Sequence, residues 1–228
     1  MDRPAQRTVL VTGATGYLGR PLTARALDRG HRVRAFVRPG SESRAAAGVE
    51  VAVGDPFSVD ALAAALSPET TLVHLIGTPR PSPAKARQFR DIDLASIRAA
   101  ATAARRVGIA HFVYVSVAQP APVMRAYIEV RREGERLVRE TAVPSTILRP
   151  WHVLGPGHWW PYGLMPLYWL LERVPATRDG AHRLGLVTQE QMLSALLSAI
   201  EGGPEAARLL EVPAIRAAAG VTRNRATA

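Results

Sequence analysis

Three glycines spaced three apart carry the first chemistry legible in the chain. Thr12-Gly13-Ala14-Thr15-Gly16-Tyr17-Leu18-Gly19 follows an apolar run, Thr8–Thr12, and opens a segment with Leu18, Leu22 and Ala26 on one face. Strand, glycine turn and helix in that order make a cradle for an anion. Gly13 allows a tight turn, Gly16 lets backbone amides approach a pyrophosphate, and Gly19 lets the helix lie against the strand. Thr15, Tyr17 and Leu18 stand between them, where the helix start offers unpaired N–H groups and partial positive charge. The ligand expected of such a loop is a dinucleotide. At the end of the second strand an acid would bind two ribose hydroxyls and repel a 2′-phosphate. Arg38 stands there instead, with Arg34, Ser41 and Arg44 nearby, and a guanidinium holds phosphate through parallel hydrogen bonds. NADP(H) is therefore expected in preference to NAD(H), unless Arg38 is one more solvated arginine.

The elements that must position this loop are also legible. Short β-branched runs at Thr8–Thr12, Arg32–Val37, Val49–Val53, Leu72–Ile76, His111–Ser116 and Ser145–Leu148 alternate with longer amphipathic segments. Such alternation predicts βαβ units feeding a parallel sheet, with runs apolar on both faces because helices cover both sides. Phe89, Ile92, Ile97, Ala100, Ala104 and Val107 recur near helical spacing, and Gly108 follows as a stop. The next helix carries Tyr127, Val130, Gly134, Leu137 and Thr141 along one stripe. Its arginines alternate with Glu129, Glu133, Glu135 and Glu140, which reads as a solvated face. Late in the chain Thr188 and Gln191 form a capping box, Val187 can staple onto Met192, and Met192, Leu196 and Ile200 face the core. Leu209–Ile215 reads as a final strand. The expected fold is α/β, a Rossmann-type doubly wound parallel sheet of about seven strands in the order 3-2-1-4-5-6-7. It fills one domain over 1–216, with a small substrate lobe mainly over 151–187 and a flexible tail over 217–228.

Composition narrows the field. The 228 residues are 47% hydrophobic and 21% charged, as in ordinary globular proteins, and contain no cysteine, so disulfides, thiolate catalysis and Cys-bound metals are excluded. The formal charge is +10 and Lys85 is the only lysine. The arginines are scattered in pairs at most, so no nucleic-acid partner is expected. The first strand begins too early for a cleavable leader, and the apolar stretch from Tyr162 to Leu171 is too short to span a bilayer, so a cytoplasmic protein is expected.

The glycine loop resembles the TGxxGxxG motif of extended and atypical short-chain dehydrogenases/reductases, especially their NmrA-like NAD(P)-binding branch. Further matches stand in order along nearly the whole chain: FVRP, VGD, HLIG, VYVSV, and ILRP followed by VLGPG. The resemblance implies that Asp55 approaches the adenine ring and that Gly77 lets the end of the fourth strand pass close to the cofactor. Asp55 could instead cap the next helix, although Ser58 is better placed to do so. It also implies a serine on strand five and a Tyr-x-x-x-Lys pair on the following helix. Ser116 and Tyr127 match, and Arg131 stands where the lysine would be. In the family's mechanism the tyrosine exchanges a proton with the carbonyl oxygen, the serine orients that oxygen, and the lysine lowers the tyrosine pKa and holds the ribose. Arginine keeps the positive charge without the compact ammonium.

Two readings stand. In one, Ser116, Tyr127 and Arg131 form a working variant of an NADPH-dependent reductase acting on a small carbonyl or similar acceptor. In the other, the pair is vestigial and the chain is a non-catalytic NADP(H)-binding redox sensor or interaction protein. His74, in an apolar strand, reads as a satisfied core histidine rather than a catalytic one. His152 and His158 are too loosely spaced for a metal, and none is expected. Trp151, Trp159, Trp160 and Trp169 cluster with Tyr162 and Tyr168. They are read as an aromatic wall over the nicotinamide suited to a flat or apolar substrate, as packing of the small lobe, or, less expected, as a membrane contact.

Overall fold

The computed structural model describes residues 5–156 and 183–218. Seven strands form one sheet in the order β3-β2-β1-β4-β5-β6-β9: β1 (Thr8–Thr12), β2 (Arg32–Val37), β3 (Glu50–Val53), β4 (Thr70–His74), β5 (His111–Val115), β6 (Ser145–Arg149) and β9 (Leu209–Glu211). Every pair in it is parallel. This is the expected order, with β9 as the seventh strand, because β7 (His152–Leu154) and β8 (Leu186–Thr188) pair with each other apart from the main sheet.

Alternation along the strands feeds two cores. Val9, Val11, Val73 and Val113 pack with Leu22 and Ala26 of α1 (Gly19–Asp28) and with Met192, Leu196 and Ile200 of the late helix Gln189–Gly202. On the opposite face Leu10, Leu72, Phe112 and Tyr114 meet Leu62 of α2 (Val59–Ala65) and Ile97, Ala100 and Ala104 of α4 (Ala95–Val107). Covering both faces is what makes the strands apolar throughout. A short helical turn, α3 (Ala86–Gln88), leads through a π-helical turn, Phe89–Leu94, into α4. The helix α5 (Arg125–Glu140) follows β5, and the late helix is numbered α6.

Local signals hold. Gly108 ends α4 in the left-handed region, and the Thr188–Gln191 capping box opens α6 with both of its hydrogen bonds. The final strand is shorter than expected: β9 stops at Glu211 and residues 212–218 are helical. Pro213 has no N–H for a strand ladder and is preorganised for a first helical turn, and the alanines after it favour helix. Residues 217 and 218 of the expected tail therefore belong to a helix, with Ala218 packed against the first core; residues 219–228 lie outside the described residues.

Candidate functional site

The carboxyl ends of β1, β4 and β5 lie side by side, and the chain leaving each of them builds the candidate site. After β1, Gly13 takes φ +72°, and a Cβ there would lie 2.9 Å from the carbonyl carbon of Leu75, just past β4. The amide of Gly16 donates to the Gly13 carbonyl at 3.0 Å, which closes the turn. A Cβ at Gly19 would overlap that same carbonyl oxygen and come within 2.7 Å of Ala14 Cα. Leu18 stands at the N-cap of α1 with no side chain capping it, and the first turn holds no acid. The helix start thus presents its dipole and amides with no carboxylate of its own to satisfy them, which fits a pyrophosphate. Tyr17 closes the loop sideways: its hydroxyl fills the space beside Gly155, and its carbonyl accepts from Gln189 Nε2 at 3.0 Å.

Arg38 lies exposed just past β2, in a turn where the Ser41 amide donates to its carbonyl at 3.0 Å. Arg34 is not free to join it, since its Nε pairs with Glu50 Oε1 at 2.8 Å and its Nη1 donates to the Ala65 carbonyl. Asp55 is exposed and accepts from the Phe57 amide at 2.9 Å, while Ser58 caps α2 by accepting from Ala61. Gly77 has no room for a side chain, because the guanidinium of Arg131 fills the place a Cβ would take.

Arg131 is the centre of the second part of the candidate site. Its Nη2 meets Asp93 Oδ1 at 2.6 Å and its Nη1 donates to the Val115 carbonyl at 2.9 Å. The guanidinium lies 5.2 Å from the centroid of the Tyr127 ring and 5.9 Å from that of Tyr114. Tyr127 also leans on Phe89, with ring centroids 4.9 Å apart. The structure therefore brings Tyr127 and Arg131 together, as their four-residue spacing predicts. Ser116 points elsewhere: its hydroxyl donates to Glu135 Oε1 at 2.7 Å.

Glu135, read from the sequence as part of a solvated face, is fully buried, and this corrects that reading. Besides Ser116 it accepts from Gln119 Nε2, from Arg149 through Nε and Nη2, and from Arg139 Nη2. Burial alone would raise its pKa, but the Arg149 and Ser116 hydrogen bonds outweigh that and hold it below the ordinary carboxylate value. Arg131, one of the alternating arginines, is buried as well, whereas Arg136 pairs with Glu133 and Glu140 in the open, as expected. Two participants were missed in the sequence. Asp93 occupies the stripe four residues after Phe89 and four before Ile97, where an acid among apolar residues was the available signal. Arg149 sits in the ILRP stretch at the end of β6, and only its partner across the fold reveals its part.

His74 is a core histidine with both ring nitrogens engaged, Nδ1 with Thr12 Oγ1 at 2.9 Å and Nε2 with Ser96 Oγ at 3.3 Å. Burial, and then the nearby Arg131 charge, push its pKa down to about 3. His152 packs its ring against Trp151 at 5.3 Å, and burial lowers its pKa. His158, Trp159, Trp160, Trp169, Tyr162 and Tyr168 lie outside the described residues. Among the described residues no group of three or more His, Asp or Glu side chains is placed to hold a metal, and no helix is long and apolar enough to cross a membrane.

Comparison with known proteins bears on the fold and on the glycine loop. The chain is 34% identical to a ceramide reductase of Caulobacter vibrioides over 175 residues, covering 73% of this chain and 53% of that one. It is 29% identical over 220 residues to a 3-diazoavenalumate denitrifying reductase of a Streptomyces species, covering 85% and 72%. The chain thus spans about half the length of the first of these relatives. In fold it resembles a short-chain dehydrogenase/reductase superfamily protein of Agrobacterium tumefaciens solved with bound NAD, at TM-score 0.64 and 21% identity over 90% of this chain and 76% of that one. A UDP-N-acetylglucosamine 4-epimerase of Bacillus cereus aligns at TM-score 0.66 and 16% identity, over 96% and 85%. A family model described as NAD(P)H-binding matches residues 13–156. Because that match starts at the first glycine of the loop and runs past β6, the chain belongs to the NAD(P)H-binding family, and it has the fold of the short-chain dehydrogenases/reductases.

Proposed function

We propose that the chain is an NADPH-dependent reductase of a small organic carbonyl or similar acceptor, in the NmrA-like branch of the atypical short-chain dehydrogenases/reductases. The observation that carries the reading is the Arg131 guanidinium seated 5.2 Å from the Tyr127 ring, on the helix that follows β5. The reductase names of the relatives support it. The amides around Gly16 and the start of α1 hold the pyrophosphate, Arg38 holds a 2′-phosphate, and Asp55 borders the adenine. Bound NADPH supplies the hydride. The Tyr127 hydroxyl gives its proton to the substrate's carbonyl oxygen, with Arg131 keeping the ring in place. Ser116, whose own hydrogen goes to Glu135, offers lone pairs that accept from the hydroxyl so formed. Residues 151–187 supply the substrate lobe within a single domain over 1–216, and the protein works in the cytoplasm on an aromatic or apolar small molecule.

Tyr127→Phe tests this: NADPH oxidation against a panel of aldehydes and ketones should vanish while NADPH affinity by calorimetry stays intact. Undiminished turnover in the variant would reject the assignment. One observation favours a second reading, a non-catalytic NADP(H) sensor or interaction protein: both Nη atoms of Arg131 and the Ser116 proton are already engaged by the protein. Saturable NADPH binding with no consumption of any panel member would establish that alternative.

A further inference from the structure

Asp93 is a buried carboxylate, 1% exposed, in the π-helical turn before α4. While Ile92 is only half-buried, Asp93 lies on the same face as the buried Phe89 and Ile97, four residues from each. Its two oxygens divide the work. Oδ2 accepts from both the amide, at 2.9 Å, and the hydroxyl, at 2.6 Å, of Thr78, while Oδ1 takes Arg131 Nη2 at 2.6 Å. Arg131 in turn reaches the last carbonyl of β5 and the ring of Tyr127. A single carboxylate therefore joins the Gly77–Thr78 segment beyond β4 to the face of α5 that carries Tyr127. Gly77 fits against the guanidinium only because it lacks a side chain. A buried pair of this kind gives little net stability compared with apolar residues of the same size, and its best-attested use is to fix an arrangement.

We propose that Asp93 is a positioning residue, which holds Arg131 against Tyr127 and fixes both relative to the β4 exit that borders the cofactor. The proposal rests on the reading of Tyr127 as proton donor, but it is tested separately.

In Asp93→Asn the amide oxygen can keep the Thr78 contacts while the charge that grips Arg131 is lost. NMR of the guanidinium groups in the isotope-labelled full chain reads the grip directly, with the Arg131 signals assigned from Arg131→Met. The wild type should show Arg131 Nη rotation slowed by its two fixed partners, and Asp93→Asn should release it. With an acceptor from the carbonyl panel, kcat should fall about tenfold, as for a lost hydrogen bond between charged groups. KM and NADPH affinity should stay within about twofold, and adding Arg131→Met should cost little more, because both changes break one link. Unchanged Arg131 signals in Asp93→Asn, or multiplying losses in the double variant, would overturn the proposal. Should Tyr127→Phe prove fully active, the proton-donor reading fails, yet the NMR signals still decide whether Asp93 grips Arg131. If Asp93→Asn does not fold, Thr78→Val takes its place, leaving both charges but loosening Asp93. A smaller loss confined to kcat supports the proposal, and a loss confined to cofactor affinity sinks it.

Discussion

The hydroxyl of Ser116 donates to Glu135 Oε1 at 2.7 Å, toward a carboxylate that no solvent reaches. That bond reverses the part a serine at the end of β5 was expected to take. A hydroxyl whose hydrogen is committed can accept but cannot polarise a carbonyl by donation. It also makes Ser116 one spoke of a larger hub in which Glu135 ties α5 to the loop after β5 and to the end of β6.

Breaking the hub from its centre should cost far more than removing the spoke. Glu135→Gln leaves Arg149 without its buried counter-charge and should destabilise the fold by about 3 kcal/mol. Ser116→Ala removes one neutral donor and should cost about 1 kcal/mol. Urea unfolding of the two variants ranks them, and equal losses would contradict the hub.

Acid should weaken the fold in two stages. Burial depresses His74 to about 3 and His111 to about 4, whereas the unfolded chain takes up those protons near 6.5. The unfolded state then binds more protons, so stability falls as pH drops below about 6.5, by up to ~1.4 kcal/mol per pH unit for each histidine. It stops falling on their account once the folded values are passed. Glu135, held below 4.5 in the fold, adds its loss only at lower pH, as the solution passes down through its folded value. Unfolding free energies measured across the range should show both stages. His111→Gln should flatten the upper one and Glu135→Gln the lower.

The glycine loop separates binding from folding. Gly16 is exposed, with the Gly13 carbonyl as the nearest obstacle at 3.1 Å from a new Cβ. Gly16→Ala should therefore leave the melting temperature nearly unchanged yet weaken NADPH binding about tenfold or more, by displacing the phosphates. Gly19→Ala, forced against the Gly13 carbonyl and Ala14, should lower both. Calorimetry and thermal melting of each variant check the split.

The proposed preference for NADPH rests on the exposed Arg38. Arg34 is held by Glu50, whereas Arg38 stands exposed just past the end of β2. Arg38→Ala should weaken NADPH by about tenfold and leave NADH unchanged, the loss of one charge-assisted contact. Equal losses for both nucleotides would give Arg38 a structural part only.

What could be read from the sequence was local. Gly13, Gly16 and Gly19 announce their turn within one stretch, Gly108 ends its helix by its own backbone, and Thr188 with Gln191 cap α6 across three residues. What escaped depends on partners far along the chain or on small changes of phase. Glu135 resembles a surface glutamate because Arg139 follows at the spacing of a surface pair, and that pair does form at 2.9 Å. Its burial goes with the contact to Arg149, 14 residues on, which local spacing does not reveal. Asp93 escaped because the apolar Ile92 reads as the inward residue of that turn, whereas Asp93, four residues from both Phe89 and Ile97, is the one buried. Pro213 was passed over in a run that otherwise looked like strand.

Arg149 reaches in both directions, to Glu135 inside and to Glu211 at 3.4 Å on β9, the last strand of the sheet. A chain trimmed ahead of Leu209 would lose more than three residues of ladder. It would bare β6 as a raw border open to strand-on-strand association and remove one of the two anchors of Arg149. Clumping of such a fragment, rather than simple melting, is the expected mark of damage at this end of the molecule.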